Sequence, residues 1–278
     1  MQRSFGREIA SVILRVFAVV LTVILIIVSI GTWYSYDGIS DGWCNVAIFP
    51  IEGVIVPYKA YDQFPLIVTP NAIRDFITQS ENDSYIQAIM FEINSPGGTP
   101  VASEQISEAI KTSTLPTLSL IGDIGTSGGY LAASAADRVI ASPMSDVGSI
   151  GVTMSYTEES KKNEEEGVTF VQLSTGEFKD AGNPNKPLTE AERTLFEKDL
   201  QLIHDQFVKE VAENRGKEIW EIQALADGSA VTGGEALDKG LVDRLGGREV
   251  AREELANMLN LNINEVTFCE YQGSLLPF

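Results

Sequence analysis

The longest apolar stretch comes first. From Val16 to Tyr36 no charged residue occurs, and Val16–Val28 is strongly apolar. A run of ~20 such residues can cross a bilayer as a helix. Arg3, Arg7 and Arg15 precede it, and Trp33, Tyr34 and Tyr36 follow as an interfacial belt. The positive-inside bias predicts a cytoplasmic N-terminus over 1–15, a transmembrane anchor over 16–36 and an extracytoplasmic domain over 37–278. The run exceeds a signal-peptide core of ~7–15 residues and no clean A-x-A site follows, so the anchor is expected to remain uncleaved.

Beyond it the pattern alternates between short apolar runs and helical periods. Residues 45–56 read as one or two strands broken at Pro50. Thr69-Pro70 opens a helix, Ile86–Ile93 is a second strand, and Asn94–Gly98 is a turn leading into a helix over Val101–Thr112. Thr117–Gly122 reads as a buried strand, the Ala-rich 130–136 as a helix, and Arg138–Ser142 as a further strand before Gly148–Val152. Val168–Leu173 is expected to be another strand, ending near Gly176–Asp180. This order predicts right-handed parallel βαβ units, an α/β fold in one domain. A long helix follows, opened by the capping box Thr189-x-x-Glu192, with Phe196, Leu200, Ile203, Phe207 and Val211 as its apolar stripe. Lys161–Glu166 reads as a solvated charge run.

Composition narrows the chemistry. The chain carries a net charge of −19, its excess acid lying wholly beyond residue 36, which argues against nucleic acid as a partner. Cys44 and Cys269 show no CxxC spacing and indicate no zinc site; they can form one bridge if the domain lies outside the cytosol. One histidine, His204, occurs in the whole chain.

The segment Gly125-Thr126-Ser127-Gly128-Gly129 joins the 117–122 strand to the Ala-rich helix. It is either a plain glycine-rich turn or a tight turn presenting the Ser127 hydroxyl as a nucleophile, with G-x-S-x-G matched in part. A nucleophile needs a base. His204, mid-helix beside an apolar stripe, reads as structural. A lysine can replace histidine if it is uncharged, which requires burial away from acids. Lys179 fits best, after an apolar strand and next to Phe178; the other reading is a strand-end cation facing water. Asp180 opposes a neutral lysine, although adjacent side chains of extended backbone face opposite ways. Gly98 and Gly128 can each direct an amide at a developing oxyanion, or serve only as turn residues.

Five ordered motifs carry a resemblance. They are Asn94-Ser95-Pro96-Gly97-Gly98; Gly125–Tyr130 with Ala135-Ala136-Asp137; Gly148-Ser149-Ile150-Gly151-Val152; Gly176-Glu177-Phe178-Lys179-Asp180; and Val231–Ala236 with Gly240-Leu241-Val242-Asp243. With the N-terminal run, the chain resembles the signal peptide peptidase A family, membrane-anchored Ser-Lys proteases with a ClpP/crotonase-like spiral of repeated β-β-α units. The resemblance implies Ser127 as nucleophile, Lys179 as general base, Ser149 as the hydroxyl orienting the lysine, and Gly98 and Gly128 as oxyanion donors. It implies no metal or other cofactor, peptide substrates such as signal-peptide remnants, membrane lipid around the anchor, and a homo-oligomeric ring whose sites are shared between protomers. The turn after Gly98 departs from the family's small residues at Thr99-Pro100. The rival readings are a crotonase-like acyl-CoA enzyme and a catalytically silent membrane scaffold.

Overall fold

The computed structural model describes residues 2–34, 39–40, 42–58 and 66–269; in the first helix, side chains are described for 10–26 only. Two units are separable, residues 1–39 and 40–278.

The first unit holds α1 (Gln2–Tyr34). Helix formation there agrees with the apolar run. A membrane span is not supported: among the described residues no helix is long and apolar enough to cross a membrane. Arg3, Arg7, Trp33, Tyr34 and Tyr36, the expected flanks, have side chains outside the described residues.

The second unit begins with β1 (Val46–Ile55), β2 (Ile67–Val68), α2 (Pro70–Asn82), β3 (Ala88–Gly98) and α3 (Pro100–Lys111). Next come β4 (Thr117–Thr126), α4 (Gly128–Ser134), β5 (Arg138–Ala141) and β6 (Asp146–Gly148). The remainder is α5 (Ser160–Glu165), α6 (Glu190–Arg215), α7 (Ile219–Gln223), β7 (Ala230–Thr232), α8 (Gly233–Asp238), β8 (Arg244–Leu245), α9 (Arg248–Leu259) and β9 (Phe268–Cys269). The main sheet runs β2-β1-β3-β4-β5-β8, parallel throughout, with β9 parallel to the start of β1 and β6 joining the end of β4.

β4 changes partner midway. Residues 118–121 of β4 pair with β5, whereas 124–126 pair with β6. Register shifts fall between Glu52 and Val54 where β1 meets β3, and between Ile93 and Ser95 where β3 meets β4. β4 is therefore two half-strands followed by α4, and β5 and β6 are the matching halves fully separated.

Both faces of the sheet are covered, so its strands read as continuous apolar runs rather than alternating ones. Val46, Ile48, Met90, Leu118 and Leu120 pack under Ala251 and Leu255 of α9. The opposite parity faces α2–α4, where the Phe49 and Phe76 rings lie 4.8 Å apart.

Two expectations change. The strand does not break at Pro50, because residues 48–53 have β3 as their neighbour on one side and neither β9 nor β2 on the other. On that open edge a missing N–H is tolerated. Val168–Leu173 is not a strand: it runs exposed and without ladder partners. Val171 is 72% and Leu173 94% accessible. The helix at Thr189 does form with its capping box, but only Phe207, Val208, Val211 and Ala212 of its apolar residues are buried. Leu202 and Ile203 stay exposed.

Cys44 and Cys269 are bonded, closing a sequence separation of 225 residues and tying β9 to the start of β1. Leu255 is fully buried between α9 and the sheet. Leu255→Ala should cost about 2–4 kcal/mol, read as a lowered midpoint in denaturant with an unchanged slope.

Candidate active site

Ser127 stands where β4 ends and α4 begins, with φ 52 and ψ −127. A non-glycine residue with positive φ is strained by about 1–3 kcal/mol and persists only where its surroundings impose it. Its amide donates to the Gly148 carbonyl at 2.7 Å, and its own carbonyl accepts from Tyr130 and Leu131. Backbone bonds on both sides thus hold the turn, and among the described residues none reaches the Ser127 hydroxyl.

Gly97 and Gly98 at the end of β3 complete the front. A Cβ built on Gly97 (φ 95) would lie 2.6 Å from the Gly128 nitrogen and 3.1 Å from the Ser127 Oγ, so only glycine fits. Thr99 donates to the Ile55 carbonyl at 2.9 Å, so strand alternation turns the Gly98 N–H away from β1, toward the serine. A Cβ on Gly128 would lie 3.4 Å from the Gly98 nitrogen and 2.0 Å from the Ser103 Oγ. Gly98 and Gly128, expected as oxyanion donors, are brought together beside Ser127.

The serine opens onto a groove of about 360 Å³ with walls that include Leu131, Val152, Leu202, Ile203 and Phe207. Glu104 and Glu210 also line it. Burial holds the Glu210 carboxyl above the usual range, and the neighbouring Glu104 charge adds to this against the Gln206 amide, which donates to it at 2.8 Å.

Behind the turn, the fully buried Tyr130 donates its hydroxyl to the Leu241 carbonyl at 2.9 Å. Burial pushes this phenol well above its ordinary range. Arg215 grips Asp243 through both terminal nitrogens at 2.6 and 3.1 Å, and the same carboxylate accepts the Val139 amide at 2.7 Å. The Gly240–Asp243 motif thus braces the nucleophile helix.

The other sequence candidates lie elsewhere in the single chain. Lys179 is exposed in a turn, in a depression shared with Phe170, Val171, Leu173 and Asn183 rather than in the groove. Asp180 is turned to the Asn183 amide at 3.0 Å. Ser149, also at positive φ, donates its hydroxyl to the Gly228 carbonyl at 2.8 Å. His204 contacts the Ala226 carbonyl at 3.0 Å and does not line the groove, as its apolar neighbours suggested. Among the described residues no group of His, Cys, Asp or Glu could hold a metal ion. Sequence reasoning missed Ser103, Glu104 and Glu210; Ser103 and Glu104 lie on α3 directly after the Asn94–Gly98 motif, which was the available signal.

A strained serine between strand and helix, two glycines packed beside it and an apolar groove mark the candidate site of this parallel α/β protein. The chain belongs to peptidase family S49, whose model matches residues 109–262. It is 32% identical over 198 residues to a candidate protease of Methanocaldococcus jannaschii, covering 69% of this chain and 64% of that protein. It is 30% identical over 211 residues to a candidate signal peptide peptidase of Enterococcus faecium, covering 74% and 61%. The chain thus spans a little under two thirds of the length of these two relatives. A ClpP1 mutant from Listeria monocytogenes aligns over 72% of this chain and 91% of its own, with 16% identity and a TM-score of 0.48.

Gly128→Ala should slow labelling of Ser127 by a fluorophosphonate at least about 10²-fold, because the new methyl group must displace Ser103 or the amide. A second expectation concerns pH. The folded chain holds the Glu210 proton more tightly than the unfolded chain, so this group's contribution is complete below the unfolded carboxyl range. It is lost as pH rises through the raised value. Glu210→Gln should flatten the fall of Tm with pH across that window, measured by scanning calorimetry.

Proposed function

We propose that the chain is a serine endopeptidase using Ser127 as nucleophile and Lys179 as base, acting on small apolar peptides such as signal-peptide remnants. The observation that carries this reading is the strained Ser127 facing two glycine amides at the head of an apolar groove. Membership of peptidase family S49 and the name of the Enterococcus faecium relative support it. The Ser127 hydroxyl attacks the scissile carbonyl while an uncharged Lys179 takes its proton; the amides of Gly98 and Gly128 stabilise the oxyanion. The lysine then protonates the leaving amine and activates the water that releases the acyl-enzyme. Ser149 can accept from the lysine while still donating to Gly228.

Lys179 lies outside the groove of its own chain, which favours a site completed by a neighbouring copy in a homo-oligomeric ring. The fold is read as the ClpP/crotonase-like spiral, which the half-strand pairs support. The apolar run over 16–36 is read as a tether that places the domain extracytoplasmically. The Cys44–Cys269 bond fits an oxidising compartment. Glu104 and Glu210 at the groove disfavour an anionic acyl-CoA.

Ser127→Ala and Lys179→Ala should each abolish peptide-ester hydrolysis, lowering kcat by about 10⁴-fold or more, and Ser127→Ala should abolish fluorophosphonate labelling. Co-assembly of the two inactive variants should restore part of the hydrolysis if the lysine comes from a neighbour, since some interfaces then pair an intact serine with an intact lysine. Full activity of Lys179→Ala would refute the dyad.

A further inference from the structure

A second serine beside the site has a role that the nucleophile and base leave unassigned. Ser95 is fully buried at the end of β3. Its Oγ donates to the Gly53 carbonyl at 2.6 Å and accepts the Gly97 amide at 3.1 Å. Gly53 and Gly97 both adopt positive φ, 79 and 95. Each stands beside a register shift, Gly53 between Glu52 and Val54 and Gly97 just past Ser95. One hydroxyl therefore closes both irregularities. Without it the Gly97 N–H would be a buried donor with its bond broken, a cost that a turn of the Pro96–Gly97 peptide could relieve.

That peptide leads through the Gly97 Cα directly into the one that carries the Gly98 N–H. Gly97 lies against the Ser127 Oγ, and the next amide, Gly98, faces the serine. Ser95 also pairs with Gly125 of β4, and a Cβ on Gly129 would come within 2.5 Å of its carbonyl oxygen. The residue thus touches the strand before the nucleophile, the helix after it and the oxyanion turn, while staying out of the groove lining.

We propose that Ser95 is a positioning residue: its hydroxyl holds the Pro96–Gly97 peptide, and through the Gly97 Cα the peptide that follows, so that the Gly98 N–H meets the oxyanion formed at Ser127. This rests on the peptidase reading. Rotation of that peptide would leave substrate binding in the groove intact and weaken only the interaction that strengthens in the transition state.

The test compares the full-length, detergent-solubilised parent with Ser95→Ala and Ser95→Cys; cysteine keeps the shape with a weaker hydrogen-bonding atom. Active sites are counted by burst titration, so that kcat is expressed per functional site. Ser95→Ala should lower kcat about 10–10²-fold with KM nearly unchanged, and should weaken a peptide boronate, a tetrahedral mimic, by the same factor. Ser95→Cys should fall between the two, and it carries the test alone if the alanine variant does not fold. Hydrogen exchange should quicken at the Gly97 and Gly98 amides and stay unchanged over 117–121. Fewer active sites with unchanged kcat per site and unchanged boronate affinity would make Ser95 merely structural and overturn the proposal. A parent chain that neither turns over ester nor takes the fluorophosphonate at Ser127 would overturn the peptidase reading, and this one with it.

Discussion

The Ser127 amide reaching the Gly148 carbonyl is the contact on which the site depends. It forms only because β4 abandons β5 after Ile121 and takes β6 as its partner for its last residues. That exchange carries the chain end out of the main sheet and holds the serine at a positive φ that no local preference supplies. The strain is borne by the sheet, and the reward is a hydroxyl projecting clear of its own backbone beside two amides.

The rest of the domain keeps this turn from relaxing. Tyr130 is anchored to Leu241, and the following Asp243 is held by Arg215 while it caps the start of β5 at Val139. Asn214, next to that arginine, bonds Ser107 of α3 and Ser134 of α4. One end of α6 thus clasps the two helices on either side of the nucleophile. Its middle lays Leu202 and Ile203 along the groove. A single long helix serves as brace at its C-terminal end and as groove wall in its middle.

Much of this was legible in the sequence because it depends on local chemistry. Buried parallel strands declare themselves as short aliphatic runs, and the capping box at Thr189 names its own helix start. The serine turn and its glycines were visible for the same reason, since tight turns demand particular residues. What depends on distant partners was not legible. Pro50 looked like a break because nothing nearby reveals an open strand edge. Val168–Leu173 has the composition of a strand, but a strand needs a neighbour and this chain offers it none among the described residues. Ile203 reads as core by its spacing, yet only the fold shows that its face looks onto a groove. That Lys179 lies outside the groove of its own chain is likewise a matter of the fold, which spacing along one chain does not encode.

The bond between Cys44 and Cys269 has a mechanical meaning. Both cysteines sit beside the first residues of β1, an interior strand of the sheet. A tug delivered at Cys44 therefore divides at once between the backbone into β1 and the sulfur bridge into β9. Force arriving from the N-terminal side is shared by two parallel, neighbouring strands rather than borne by the first alone.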